Sequence, residues 1–552
     1  MAGPHSHWRP RLAVAVAALA AASLAVAPAA GASVRTASAT SLQPGNLLVS
    51  GADYDVNPDI VPGVTVLPPG CTSHCVTATA SGAYPQVFNN VLADPAFGVT
   101  EPIVLDQMTP SGTLVSSLQV PDGSAADHAV TSFSSKSELA LNLSTDGSAV
   151  TFMGYVAAPG SVDISNTNTP GVIDPTDPVP GKAYRAVVQL NPSGDFAFTE
   201  TNAYSGENGR AAILNADDGT PVYYTAGDAG DGKTPQPDGV ILGTGAQIMT
   251  PSSLPESTQD PGAPTPVGSF SVTQLGDSAD PAGKDTQFNG LAVYDNVLYF
   301  TKASGASNGV NTVYFLDTTG KACPKGVGLP QPGAALPVSP IAYDASKLQS
   351  DGVTPYNMCI LQGFPTKKKS STSFPVGMFF ASKDTLYVAE EGNGDNTYSK
   401  SKGSYTTAAK QTTAGLQKWI FNGTEWKLAY TLTQGLNLGV PYTVPGYPTG
   451  DNAATGLPWA PATDGLRNIA GQVSEDGTVT IYAVTSTVSG GGDQGADPNK
   501  LVAITDSLAA TSLPTADHFQ TIYSAAYGQV LRGVTFTPGT GIYPSARPMS
   551  RR

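Results

Sequence analysis

One short pattern recurs six times along the chain. An apolar stretch with small residues is found as "LALNLS" from Leu139, "AAILN" from Ala211, "GLAVY" from Gly290, "GMFFA" from Gly377, "IAGQV" from Ile469 and "GVTFT" from Gly533, at intervals of 64 to 92 residues. A unit this small cannot bury its apolar face alone, so a chain that repeats it must stack the copies against one another. The first five copies are each followed by a turn and an aromatic-rich stretch: "AVTFMG", "PVYYTA", "VLYFTK", "TLYVAE" and "TVTIYA". Third stretches end in Asn or Asp turns ("VVQLNPSG", "VYFLDTTG", "QKWIFNGT", "LVAITDS"), and fourth stretches read "DFAFTET", "SFSVTQL", "WKLAYTL" and "FQTIYSA". Alternation over five or six residues, β-branched and aromatic enrichment, and Gly, Asn or Asp at the turns predict antiparallel strands.

Serial four-stranded antiparallel units predict an all-β chain folded as a β-propeller, in which radial packing leaves only short sheet edges. The small residues of each first strand suit the crowded axis. The sixth copy has no second or third strand after it, whereas the N-terminal region supplies "GNLLVSG", "PIVLDQMTPSG" and "LVSSLQV" with no first strand before them. The two ends therefore complete one shared blade, giving six four-stranded blades, or seven if Asp228 to Gly283 or Cys323 to Thr372 conceals another. Tyr223, Tyr299, Tyr387 and Tyr482 fall in one register and read as packing between blades. The expected organisation is a leader over 1–32, a flexible segment over 33–45, one propeller domain over 46–545 and a flexible tail over 546–552.

The leader is read from Arg9 and Arg11, the Ala/Leu/Val run from Leu12 to Val26, and the small residues of "APAAGAS", with cleavage after Ala32 preferred to Ala29. The run is mostly Ala and is broken by Pro28 and Gly31, which disfavours a membrane anchor. The product is thus expected to be secreted, with no membrane partner. In an oxidising compartment four cysteines imply two disulfides, Cys71 with Cys75 and Cys323 with Cys359. A metal site of Cys71, His74 and Cys75 lacks a fourth ligand. A net charge of -15 argues against a nucleic-acid partner, since phosphate binding needs clustered Lys and Arg. A monomer is expected.

Motifs of catalysis lack their context. "GDAGDGKT" from Gly227 spells a phosphate loop, but Pro235 and Pro237 follow where a helix should start. "GASNG" around Ser307 spells a nucleophile elbow, yet it falls between two strands and not before a helix. Downstream of the leader the histidines are His74, His128 and His518, and neither Asp127 nor Asp517 becomes an orienting acid merely by preceding a histidine. These readings lean away from an enzyme. Calcium is the one cofactor the sequence would admit, because "EEGNGDN" places Glu390, Glu391 and Asp395 in an oxygen-rich loop after a strand.

Arginine is the more specific signal. Between residues 50 and 540 the only arginines are Arg185, Arg210, Arg467 and Arg532. The last three immediately or nearly precede first strands ("NGRAAIL", "GLRNIAG", "VLRGVTF"), and Asn289 occupies the corresponding place in "FNGLAVY". Arg210, Asn289, Arg467 and Arg532 should therefore gather at one mouth of the channel. There they would take an anionic ligand through forked hydrogen bonds, or else bridge neighbouring blades through carbonyls and carboxylates.

Taken together, "PGNLLVS", "PIVLDQMTPSGTLV", "DTLYVAEEG", "GLQKWIFNGTEW" and "VLRGVTFTP" resemble exported bacterial propeller proteins of sparse functional description. More loosely the chain is similar to the dispase autolysis-inducing protein type, a likeness that implies seven blades and action on a protease by binding it. The acidic loop after "LYVAEE" also resembles phytase-like or lactonase-like propellers, which would imply a calcium-dependent extracellular hydrolase. The leading expectation is a secreted binding protein for an extracellular protein or an anionic glycan.

Overall fold

The computed structural model describes residues 41–54, 60–61, 63–67, 76–78, 98–123, 127–133, 138–173, 179, 181–216, 219–229, 245–255, 288–303, 310–323, 326–339, 358–367, 373–452, 455–490 and 494–541. The expected leader, the Cys71–Cys75 pair, His74, Ser307 and the stretch "SFSVTQL" lie outside them. Short 3-10 turns occur at Ile164–Asn166, Ala408–Lys410 and Gln494–Ala496, and the remaining regular structure among the described residues is strand.

The chain begins with β1 (Leu47–Asp53), the small hairpin β2 (Val66–Leu67) and β3 (Val76–Thr77), then β4 (Thr100–Met108), β5 (Leu114–Gln119) and β6 (Val130–Ser132). β7 (Asn142–Leu143), β8 (Val150–Tyr155), β9 (Arg185–Leu190) and β10 (Phe196–Thr201) follow as antiparallel neighbours. β11 (Gly209–Asn215), β12 (Val222–Gly227) and β13 (Gly245–Met249) make a three-stranded sheet. β14 (Phe288–Tyr294), β15 (Val297–Lys302), β16 (Thr312–Leu316), β17 (Val327–Gly328) and β18 (Met358–Leu361) make the next, with β18 beside β16. β19 (Pro375–Ser382) and β20 (Thr385–Glu390) are separated by the hairpin of β21 (Tyr398–Ser399) and β22 (Ser404–Tyr405) from their partners β23 (Gly415–Phe421) and β24 (Trp426–Leu432). β25 (Ala462–Val473), β26 (Thr478–Val488), β27 (Lys500–Ser507) and β28 (Gln520–Ser524) close the series before β29 (Gln529–Phe536).

Local chemistry sets these hairpins. Tyr294 and Val297 pair across Asp295 and Asn296, whose φ values of 47° and 60° give the left-handed two-residue turn that matches strand twist. At the β23–β24 turn the Asn422 side chain accepts the backbone N–H of Thr424 and of Glu425.

The fold is an all-β ring of propeller type. β7, β11, β14, β19, β25 and β29 touch in that cyclic order, and β29 returns to β7. β29 pairs with β1, Leu47 opposite Phe536 and Ser50 opposite Gly533, and β1 pairs onward with β4. The described residues just before β1 are also held: Leu42 N–H donates to the Pro192 carbonyl (3.0 Å) and Gly45 N–H to the Thr540 hydroxyl (2.8 Å).

Six separate four-stranded sheets were expected, and the hydrogen bonds form a different set. Four sheets of three to five strands stand apart, while the other main strands join in one nine-stranded sheet. β6 is the cause. It pairs with the start of β4 and, through Val130 and Tyr155, with β8, so it fuses strands from the N-terminal region to those of β7–β10.

Neighbouring sheets are joined by a repeated device. Hydroxyls of Thr151 and Thr301 each donate at 2.7 Å to an inner-strand carbonyl of the next sheet, those of Ala212 and Val376, and within the nine-stranded sheet Ser50 donates at 2.7 Å to the Leu139 carbonyl just before β7. The approach leaves no room for a side chain: a Cβ on Gly290 would stand 2.0 Å from the Val376 oxygen, and one on Gly533 would stand 2.3 Å from that of Leu139. The registered tyrosines reach neighbouring sheets too. Tyr223 donates to Gln189 (2.8 Å), Tyr387 to Asp506 (2.5 Å), and the rings of Tyr299 and Tyr482 contact Phe380 and Phe536. Cys323 and Cys359 form a disulfide that ties β18 to the turn after β16, with their Cα atoms 5.7 Å apart.

Candidate functional site

Arg210, Asn289, Arg467 and Arg532 are all buried, the first two at the starts of β11 and β14 and the other two within β25 and β29. The fold brings Arg210 and Asn289 into direct contact, Nη1 donating to Oδ1 at 2.9 Å, while Arg210 Nε donates to Asn208 (2.7 Å) and the Asp228 carboxylate lies 4.0 Å away. Arg467 pairs with Glu391 from the loop after β20, and Arg532 donates to the Phe133 carbonyl. Burial pulls the Arg467 guanidinium below its ordinary range, the Glu391 carboxylate opposes that shift, and the positive charge of Arg210 adds to it. Each guanidinium therefore connects its own strand to a neighbouring segment of the ring. Arg185 lies elsewhere, donating to the carbonyls of Ala183, Ser165, Thr167 and Glu207.

Arg467 and Arg532 also line a cavity of about 20 Å³, but Glu391, Asp464 and Asp497 line it with them. A void that size holds about one water. Three carboxylates beside two guanidiniums offset the positive field an anion would need.

The three expected calcium ligands face separate partners. Glu390 is buried and accepts from the Ser373 hydroxyl (2.8 Å) and the Phe374 N–H. Burial pushes its carboxyl up to about 8, with the nearby charge of Glu391 adding to the rise, so it is largely protonated at neutral pH. Glu391 is held by Arg467. Asp395 accepts from Thr397 N–H at 2.8 Å; burial raises its pKa, but hydrogen bonds from Thr397 and Thr407 outweigh burial and hold it below the usual range. Among the described residues the acidic, His or Cys groups of three whose ligand atoms lie within 4.8 Å comprise Asp317, Cys323 and Cys359, and the two cysteines are already bonded to each other. Asp497, a buried acid at the mouth, is also pushed up to about 7 by burial, although it accepts the Tyr447 hydroxyl at 2.6 Å.

A second concavity lies further along the same inner strands. Its volume is about 170 Å³, and β7, β11, β14, β19, β25 and β29 all contribute to its wall. No Asp, Glu, His, Lys or Arg lines it. Phe379, half-buried, lies against Gly471 so closely that a Cβ there would stand 2.3 Å from the ring. Tyr294 stacks on Phe380 with centroids 4.7 Å apart and planes 11° from parallel. Asn142, Gln472, Thr535 and Thr540 supply amides and hydroxyls. Sequence reasoning missed this site because it sought charge. The available signal was the register of the first strands, which places Phe379 and Gly471 near the same level of the channel.

No family model matches the chain, and no curated protein matches it. Among solved structures, the polysaccharide lyase Uly1 aligns over 73% of this chain and 74% of its own at 10% identity, with a TM-score of 0.30. A mutant NanB sialidase from Streptococcus pneumoniae aligns over 82% of this chain and 49% of its own at 9% identity, with a TM-score of 0.14. Likenesses at these scores carry no argument about function. The site itself has to supply it.

Proposed function

We propose that the protein is a secreted β-propeller that works as a binding protein, with its ligand seated in the channel concavity. The observation that carries this reading is the concavity's wall, which is shared by the inner strands around the ring and holds no carboxylate, imidazole, ammonium or guanidinium. Such a wall can recognise a neutral group by shape, stacking and hydrogen bonds, but it offers no side chain poised for proton transfer near neutral pH. Export is supported by the leader-like N-terminus and is consistent with the Cys323–Cys359 disulfide.

We read the ring as six blades. The nine-stranded sheet then counts as two of them, β29-β1-β4-β5 and β7-β8-β9-β10, zipped together by β6. The cyclic order of the inner strands supports that count.

The arginines fit the bridging role better than the anion-binding one, since each has a partner within the protein. The calcium-dependent hydrolase loses support from the separate engagement of Glu390, Glu391 and Asp395. The test is a thermal-shift and turnover screen of the purified chain with uncharged sugars, capped amino acids and calcium. A ligand that binds only the folded state adds about 2.7 kcal/mol of stability at a hundred times its Kd. Stabilisation by an uncharged probe that is recovered unchanged is expected. Conversion of a probe into product, or stabilisation by calcium alone, would contradict the reading.

A further inference from the structure

We infer that the channel concavity takes a single neutral sugar ring, with Phe379 as the platform on which its apolar face lies. The inference rests on the reading of the chain as a binding protein and names the class of its ligand. Three observations carry it.

The platform is built in. Phe379 sits on β19, and its ring lies over Gly471 of β25, a residue 92 positions away, where any side chain would collide with it. One ring face is therefore backed by glycine while the residue as a whole is only half-buried. An aromatic face supported in this way is a surface for C–H groups, because its quadrupole presents negative charge to their partial positive charge.

The rest of the wall is polar and uncharged. Asn142, Gln472, Thr535 and Thr540 come from different parts of the ring, and Gln472 is exposed at the rim. Asn142 donates to the Ala212 carbonyl at 3.1 Å, which fixes its amide against the next sheet. Amides and hydroxyls around an aromatic face match a ligand carrying hydroxyls at its edge and C–H groups on its flat side. An ionised ligand would surrender its hydration to a wall with no opposite charge. The concavity therefore favours uncharged sugars over the acidic ones expected from the arginine pattern.

The size sets the length. At about 170 Å³ the concavity falls below the roughly 300–1,000 Å³ of pockets that enclose drug-sized ligands, so it holds one ring and not an extended chain.

The experiment titrates the purified chain by calorimetry and saturation-transfer NMR with glucose, N-acetylglucosamine, maltohexaose, cellohexaose and chitohexaose. Polygalacturonate is the charged comparator, and N-acetyl-leucinamide and N-acetyl-tyrosinamide are the neutral non-sugar probes. At least one uncharged sugar is expected to bind, with saturation strongest on the ring C–H groups of one residue. Phe379→Ala should weaken it by about tenfold or more, equivalent to at least about 1.4 kcal/mol. Gln472→Ala, at an exposed rim position that leaves folding intact, should weaken it by a smaller factor. If sugars bind but both variants bind as the parent does, the assigned site is wrong. If capped amino acids bind and lose affinity in the two variants while no sugar binds, the sugar assignment falls and the binding-protein reading stands. If no uncharged probe of either class binds at millimolar concentration, both fall.

Discussion

Raising the pH from 5 to 9 should destabilise this protein, and Glu390 should account for much of the loss. Its carboxyl is buried beside the channel mouth, and burial pushes it up to about 8 from an ordinary value near 4.5. Below pH 4.5 both the folded and unfolded chains carry the proton. Between 4.5 and 8 the unfolded chain releases it while the folded chain keeps it, so stability falls with pH at up to about 1.4 kcal/mol per unit. Above 8 both states are ionised and the loss levels off. Across that window the group contributes a loss on the order of 4 kcal/mol. Asp497, pushed up to about 7, adds a second loss over a lower window that closes near pH 7. The clean test is Glu390→Gln, which keeps the shape but cannot ionise: its one amide oxygen can accept from Phe374 N–H while its NH2 donates to the Ser373 hydroxyl, as the protonated acid would. Urea unfolding at pH 5 should give parent and variant within about 1 kcal/mol of each other, whereas at pH 9 the variant should exceed the parent by several kcal/mol. An equal drop in parent and variant would refute the argument, because the proton would then be coming from elsewhere.

Arg467→Ala should cost about 1–3 kcal/mol by removing the Arg467 guanidinium from the mostly enclosed Glu391 carboxylate, and a paired Arg467→Met/Glu391→Leu variant should recover most of that loss in urea melts. Replacing Cys323 and Cys359 by Ser should lower stability by about 3–4 kcal/mol, as expected for freeing a loop of this length, read as a shift in the urea midpoint. Deleting Arg532 onward should expose the edge of β1 and give an insoluble product, measured as partition between supernatant and pellet; a soluble truncation that unfolds cooperatively would count against closure. Millimolar calcium should leave the melting temperature where it is.

Most of the ring was legible because it is written in local chemistry. Inner strands such as "AAILN" and "GVTFT", and hairpin turns such as Asp295-Asn296, carry their signal within a few residues. The pairing of chain ends was legible by complementarity of missing strands. β13 and β18 were not anticipated: each is short, and each follows a long Gly/Pro-rich stretch that separates it from the strand it pairs with. The fusion by β6 was invisible as well, since "VTS" has no distinctive pattern and pairs through position alone. At the mouth, the register of the arginines could be read but their partners could not. Asn208, Glu391 and Phe133 come from loops whose placement depends on the assembled ring. Phe379 on Gly471 is a contact between adjacent inner strands, which no window of sequence contains.

The account depends on the two chain ends meeting edge to edge, and Asp53 and Gln529 face each other at the outer end of that pairing. The direct measurement is an Asp53→Cys/Gln529→Cys variant treated with dibromobimane, which becomes fluorescent when it bridges two nearby thiols. The ring predicts rapid fluorescence and a mapped peptide joining positions 53 and 529. Two separately labelled thiols in a folded protein, with no bridged peptide, would contradict it.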